Sequence, residues 1–250
     1  MKNGKKIVGI IPARLGSRRV KTKNLRLLGG KPLIYYAIQA VKGCSSFDET
    51  YVNSESELFG QVAERYGMAW YKRPPELAVS SSLIDEYIYE FIASVPCDVL
   101  AVINPTSPFI TSTEIDAAVD NFLASDCDTQ LACEEVQTHC FLSGQAVNFS
   151  TDGLHPGSET LEPIKALNFA VTIWDAHKFK EQYEREGHGV YTGKLGFFTF
   201  EGLSTVDIDY EEDFALAEGL MASREAGTSP VARYDPVLDE IISAGHNTET

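Results

Sequence analysis

The chain has 250 residues, 44% of them apolar and 23% charged, with aromatic residues enough for one large domain and a sizeable core. Its formal net charge of −15 excludes the broad basic face that nucleic-acid or membrane-surface binding requires. No apolar run approaches membrane-spanning length, the apolar stretch after the basic start is too short for a signal peptide, and the five cysteines form no Cys-x-x-Cys pair, which together point to a cytoplasmic protein with reduced, mostly buried thiols.

In chain order, Lys6 to Ile11 reads as a fully buried strand, apolar and β-branched, ended by Pro12. It runs into a loop with five cations, Arg14, Arg18, Arg19, Lys21 and Lys23. No acidic residue precedes Asp48, and 11 of the 21 Lys+Arg lie in the first 47 positions, so the opening carries about +11 and the remainder about −26 by formal count. A concentrated basic loop leaving a buried strand suits a small phosphorylated ligand. Gly16 and Ser17 allow a tight turn there, and Gly29-Gly30 with Pro32 mark a second. Pro32 suits the first position of a helix over Leu33 to Val41, which Gly43 ends.

A short strand follows at Glu49 to Asn53, then a helical stripe of Leu58, Val62, Ala63 and Tyr66 stopped by Gly67, and a strand at Met68 to Tyr71. Lys72 to Ser82 is a loop and Leu83 to Ala93 a helix. Val99 to Ile103 is a buried strand that closes on a rigid turn, Asn104-Pro105-Thr106-Ser107-Pro108. Thr113 to Leu123 is helical with Ser112 or Thr113 as its cap, and Thr129 to Val136 is a strand. From 137 to about 165 the pattern weakens and glycines punctuate short pieces, which predicts a protruding arm or hairpin insertion. Asn168 to Trp174 is a strand, Ala176 to Tyr183 a helix, Lys194 to Phe200 a strand, Thr205 to Asp209 a short strand, and Glu211 to Ala222 a helix. Phe197, Phe198 and Phe200 read as strand core rather than pocket lining. Residues 226–250 read as a tail with a short helical pattern at Val237 to Ser243. Strands alternating with helices predict one α/β domain over residues 1–225, its sheet mostly parallel with helices on both faces. Ligands of such sheets sit beyond the carboxyl ends of the strands.

The first loop is neither a dinucleotide fingerprint nor a Walker A, because it lacks both glycine patterns. Phosphate would be held instead by backbone N–H groups around Leu15 to Arg18 and by the cationic side chains, Arg as a planar fork and Lys as a point charge. The pair Asp207 and Asp209 flanks Ile208. On a strand both carboxylates face one side, where their repulsion calls for water or a cation. An exposed strand edge carries such a pair as readily, but a phosphate-binding loop in the same chain favours Mg²⁺, whose ligands are a few carboxylates, waters and phosphate oxygens.

The stretch Ile11-Pro12-Ala13-Arg14-Leu15-Gly16-Ser17-Arg18, with Lys23-Asn24 closing the loop, resembles the opening signature of the CMP-sialic acid synthetase (acylneuraminate cytidylyltransferase) family. Three further stretches resemble it in the same order: Arg73-Pro74-Pro75-Glu76-Leu77-Ala78, Asn104 to Pro108, and Asp207-Ile208-Asp209 with Asp213 and Ala217-Glu218 after it. The resemblance covers roughly Lys6 to Leu220. It implies a Rossmann-like, GT-A-like nucleotidyltransferase fold and transfer of CMP from CTP to a nonulosonic acid with release of pyrophosphate. It places Arg14, Ser17 and Lys23 on the triphosphate beside the backbone of Ala13 and Gly16, Asn24 on the nucleotide, Arg73 over it with Ser82 nearby, and Asp207 and Asp209 on Mg²⁺. Arg14, Lys23 and Asp209 are the implied catalytic groups. Asn104 stands where the family commonly has Gln on the acceptor.

The chain departs from the family at three places. Pro108 continues as Phe109-Ile110 where Leu-Arg is usual, Ala166 replaces an Arg beside Lys165 and before Asn168, and Val79-Ser80 replaces Ser-Asp. The first two lie on the acceptor side, leaving Asn104, Lys165 and Asn168 as the substrate-binding candidates. The implied partners are CTP, a small acidic acceptor of the sialic, legionaminic or pseudaminic type, and a second copy of the chain packed on the arm. The alternatives are a Kdo-like acid or a phosphonate as acceptor, or a nucleotide-binding protein that has lost transfer activity.

Overall fold

Alternating apolar residues decide how β1 (Ile7–Pro12) divides the core: Ile7 and Ile11 face one side of the sheet, Val8 and Ile10 the other, all fully buried. Gly9 shares the first face, where the Phe47 ring occupies the space a side chain would need, 3.2 Å from an added Cβ. The computed structural model describes residues 1–16 and 19–226; Ser17, Arg18 and the helical pattern at Val237 to Ser243 lie outside the described residues.

After β1 the chain forms a two-residue hairpin of β2 (Leu27–Leu28) and β3 (Lys31–Pro32), then α1 (Ile34–Lys42), β4 (Glu49–Ser54), α2 (Glu57–Tyr66), β5 (Ala69–Lys72) and α3 (Ile84–Ser94). Next come β6 (Val99–Ile103), α4 (Ser112–Ala124) and β7 (Thr129–Val136). The arm carries a small hairpin of β8 (Phe141–Leu142) and β9 (Gln145–Ala146); β10 (Ile164–Asp175), α5 (Ala176–Glu186), β11 (Leu195–Thr199) and α6 (Glu211–Glu225) complete the described chain.

Seven strands form the main sheet in the order β11-β7-β10-β6-β1-β4-β5. Only β10 runs antiparallel to its neighbours β6 and β7, and the other pairings are parallel. Helices α1, α2 and α4 cover one face through Ile38, Phe59 and Ile115, while α3 and α5 cover the other through Phe91 and Phe179 around Trp174. A third apolar cluster joins Val20, Leu28, Leu33, Phe109, Ile208 and Phe214, so α6 and the β2–β3 hairpin clamp the end of the basic loop against the Asp207–Asp209 segment.

The α/β sheet matches the expected class, with local corrections. Pro32 sits in β3 rather than at a helix start, because Leu33 is the residue that caps α1. The cap of α4 is Thr111, whose hydroxyl accepts from the Glu114 N–H at 3.3 Å while the Glu114 carboxylate accepts from the Thr111 N–H at 2.8 Å. Residues 205–209 form no strand: a 3-10 turn over Gly202–Thr205 leads into an extended segment held by one backbone bond, Ile208 N–H to the Thr106 carbonyl at 2.9 Å. β10 begins inside the expected arm, where Ile164 to Leu167 pair with Val136 to Cys133 as a ribbon beyond the end of β6. A break between Leu167 and Thr172 interrupts that pairing, and Phe169 there takes the left-handed conformation, φ 53°. Of the aromatic run, Phe200 is buried and Phe198 packs on the core, but Phe197 is exposed. The cysteines are all free; Cys97 and Cys133 are buried and Cys44, Cys127 and Cys140 half-buried.

Candidate functional site

The carboxyl ends of β1, β4, β5 and β6 open into a cleft of about 650 Å³. The chain reaches β4 and β5 on one side of β1, then crosses to β6 on the other, so the cleft lies at the point where the strand order reverses. Backbone bonds prolong the ladder into its walls. Ala13 N–H reaches the Asn53 carbonyl at 3.0 Å, Arg73 N–H the Ser54 carbonyl at 3.0 Å, and Asn104 N–H the Ala170 carbonyl at 2.9 Å.

Among the described residues, four cations line this cleft: Arg14, Arg19, Lys23 and Arg73. Arg73 forms its floor and is only 3% exposed. Its Nε donates to Asn53 Oδ1 at 2.6 Å, its Nη2 donates to the Asn53 carbonyl at 2.9 Å, and its guanidinium carbon lies 4.2 Å from the Tyr87 ring centre. Burial pushes the Arg73 guanidinium down and the Tyr87 hydroxyl up to about 12. Among the described residues no carboxylate lies within ion-pair distance of Arg73 or Arg14. A buried guanidinium with no carboxylate in contact is costly; Glu55 and Glu90 act on Arg73 only from a distance. Arg14 is held across the mouth, Nη1 donating to the Val79 carbonyl at 3.0 Å, and the following Leu15 N–H is fixed by Glu55 at 3.0 Å.

Two aspartates adjoin these cations. Asp209 Oδ1 accepts from Lys23 Nζ at 3.0 Å and Asp209 Oδ2 lies 3.0 Å from Arg19 Nη2. Lys23 also donates to the Ile208 carbonyl, and Asp207 accepts from the Thr106 hydroxyl. Burial pushes the Asp207 carboxyl up, and the neighbouring charge of Asp209 adds to this against the Thr106 hydrogen bond. Asn24, 7% exposed in the cleft wall, keeps its Oδ1 buried without a partner, which leaves an acceptor waiting for a donor. Among the described residues no group of three or more His, Cys, Asp or Glu converges on one point. A divalent ion between Asp207 and Asp209 therefore needs further oxygens from a ligand or water.

The family model described as cytidylyltransferase matches residues 8–229, almost the whole described chain. The chain belongs to the cytidylyltransferase family. An N-acylneuraminate cytidylyltransferase of Escherichia coli is 39% identical over 115 residues, covering 46% of this chain and 27% of that protein. Another from Streptococcus agalactiae is 27% identical over 218 residues, covering 84% of this chain and 52% of that protein. The chain thus spans about half the length, or less, of these curated relatives. A solved CMP:2-keto-3-deoxy-manno-octonic acid synthetase complexed with CTP superposes with a TM-score of 0.67 at 15% identity, covering 88% of this chain and 99% of that one, and so shows the same fold. The family resemblance read from the motifs is borne out by these matches.

In this cytidylyltransferase-family chain, Ala13, Arg14, Lys23, Asn24, Arg73, Ser82 and Asn104 all line the one cleft. Asp207 and Asp209 adjoin it through Thr106 and Lys23. Gly16 lies on the loop without lining the cleft, and Ser17 lies outside the described residues. Of the acceptor-side candidates, Asn104 lines the cleft, but Lys165 and Asn168 do not. Lys165 is exposed and paired with Glu135 across the ribbon. Asn168 sits at the ribbon's break, its Oδ1 accepting from Ala170 N–H at 3.1 Å and its Nδ2 buried without a partner. Sequence reasoning missed Asn53, Tyr87 and Thr106, whose contacts come from strands and helices far apart in the chain. It counted Arg19 among the cations without giving it a role.

Proposed function

We propose that the protein transfers CMP from CTP to an acidic sugar of the nonulosonic class, releasing pyrophosphate, with Mg²⁺ held by Asp207 and Asp209. The observation that carries this reading is a single cleft lined by Arg14 and Arg73, neither in ion-pair contact with a carboxylate among the described residues, with a carboxylate pair adjoining it through Thr106 and Lys23. A cytidine triphosphate fits this arrangement: its phosphates would meet the cations, and Asp207 and Asp209 would hold the Mg²⁺ that neutralises phosphate charge. The two carboxylates and the Thr106 hydroxyl are hard oxygen donors suited to Mg²⁺, and phosphate oxygens supply what the protein lacks. When bound, Mg²⁺ would neutralise charge on the phosphates and orient them.

The acceptor hydroxyl attacks the α-phosphorus in line with the departing pyrophosphate; the new O–P bond forms as the α–β P–O bond breaks, and the hydroxyl proton leaves to Asp209. Charge then builds on phosphoryl oxygens, so Arg14 and Lys23 act by position and charge rather than as nucleophiles. The unpartnered Asn24 Oδ1 takes a hydroxyl or amine donor of the nucleotide. The curated relatives named as N-acylneuraminate cytidylyltransferases favour a nonulosonic acceptor. The superposed octonic acid synthetase keeps a Kdo-like acid as the second reading, because Lys165 is held away from the cleft. We also propose a homodimer, through an arm that exposes Phe141, Leu142, Val147 and Leu154. Pyrophosphate release from CTP across a panel of sialic, legionaminic, pseudaminic and Kdo-type acids tests the reading. Turnover with a nonulosonic acid is expected; CTP binding without turnover on any acid would sink it.

A further inference from the structure

Arg19 is the cleft cation to which the family motifs assign nothing. Its Nη2 lies 3.0 Å from Asp209 Oδ2, its Nη1 reaches the Tyr210 hydroxyl at 3.5 Å, and its guanidinium carbon stands 5.1 Å from the Tyr210 ring centre. Lys23 holds the other oxygen of the same carboxylate at 3.0 Å. Each oxygen of Asp209 therefore faces a cation. Two positive charges beside a carboxylate repel a divalent ion and compete with it for the oxygens. The two partners are not equally fixed. Lys23 is 12% exposed and is tied also to the Ile208 carbonyl, whereas Arg19 is 53% exposed and its remaining contacts are to the exposed Tyr210. Arg19 also lines the cleft beside Arg14 and Lys23, where a polyphosphate would lie. A guanidinium meeting phosphate gains charge-assisted, bidentate hydrogen bonds at least as strong as those it leaves.

We infer that Arg19 is a latch on Asp209: it occupies the carboxylate while the cleft is empty and passes to the triphosphate when nucleotide binds, so a divalent ion gains Asp209 only with nucleotide present. The inference rests on the reading of Asp209 as a metal ligand. By linkage, triphosphate and metal then bind the protein with positive coupling that Arg19 carries, and removing Arg19 moves the two affinities in opposite directions.

Two binding measurements on the full chain test this: Mn²⁺ binding without nucleotide, with free Mn²⁺ read by electron paramagnetic resonance, and CTP binding in EDTA by calorimetry. Arg19→Ala is expected to tighten Mn²⁺ binding about tenfold and to weaken CTP binding several-fold, within the usual range of such couplings. Arg19→Gln should repeat both shifts. Arg26→Ala removes a cation that pairs with Glu211 rather than Asp209, and calibrates the general effect of lost positive charge. The latch is overturned if Arg19→Ala gains no more Mn²⁺ affinity than Arg26→Ala, or if the gain survives when Asp209→Asn is added. A separate outcome concerns the underlying reading: should Asp209→Asn leave Mn²⁺ binding unchanged at saturating CTP, Asp209 is no ligand. Loss of that binding without any gain in Arg19→Ala sinks the latch alone.

Discussion

At the scale of single residues, the site is a balance of charges that a ligand must complete. Arg73 shows this most clearly, a guanidinium buried beneath the cleft with an amide and an aromatic ring for partners but no carboxylate. Asp209, paired with Arg19 and Lys23, is the residue whose loss is most specific. Asp209→Asn is expected to abolish Mg²⁺-dependent pyrophosphate release while leaving the thermal melting curve unchanged; activity retained at more than a few per cent would remove the metal and proton roles assigned to it. The side chain is a third exposed, its pair with the exposed Arg19 is a surface pair that contributes about 1 kcal/mol or less, and an asparagine keeps an oxygen acceptor for Lys23, so the fold survives the change. Arg14 and Lys23 were legible as part of a basic loop leaving the first buried strand, and Asn24 through the family motif that closes that loop. The Asp209 pairings were not legible, since Arg19 and Asp209 are joined only when α6 and the β2–β3 hairpin fold over the loop.

At the scale of elements, most strands and helices follow from periodicity and punctuation. β6 and β7 lie where their apolar runs place them, and Gly67 ends α2 in the left-handed conformation that its position requires, φ 72°. The misses have particular causes. The cap of α4 was written in the sequence as Thr111-Ser112-Thr113-Glu114, a capping box, and the neighbouring Ser and Thr disguised it. The direction of β10 was not written at all, because an alternating or apolar strand reads the same in either sense. Helix α2 supports a further test. Gly60 lets it sit on β5, where an added Cβ would meet the Trp70 ring at 2.6 Å. Gly60→Ala should therefore destabilise the protein by about 1–3 kcal/mol in urea unfolding, overpacking outweighing the better helix propensity of alanine; a stabilised variant would show that α2 can shift. Asp116 of α4 ties that helix to the turn after α1, accepting from Ser45 N–H at 2.9 Å and from Ser46 N–H at 3.0 Å. Burial by itself would push this carboxyl up, but the Ser45 and Ser46 hydrogen bonds outweigh it and hold it below the usual value of 3.8. A depressed folded-state value means stability that is present above pH 3.8 and lost as pH falls through the lower value. Asp116→Asn should accordingly be less stable at neutral pH by about 1 kcal/mol, and its deficit should shrink in acid; a deficit independent of pH would refute the assignment.

At the scale of the molecule, one sheet carries two structures of different origin: the parallel half around β1 and the ribbon that β7 and β10 send past the end of β6. The arm between them shows an exposed apolar surface, Phe141, Leu142 and Leu154, beside an aromatic knot in which His139 stacks on His155 with ring centres 4.2 Å apart. Sedimentation is expected to report a dimer, and Leu142→Asp together with Leu154→Asp to shift it to a monomer; a wild-type monomer at micromolar concentration would count against the arm as an interface. The reversed direction of β10 has a consequence for how such proteins diversify. The cations that line the cleft come from residues 14–73, while the ribbon comes from residues 129–175. The ribbon meets the cleft wall at the end of β6 through the Asn104–Ala170 backbone contact, which does not depend on side-chain identity. Change can therefore accumulate in the ribbon without unsettling the loop after β1. On the proposed reading, the acceptor side can change while the nucleotide side stays, which accords with a basic loop that matches the family signature beside Ala166 in place of the family's Arg.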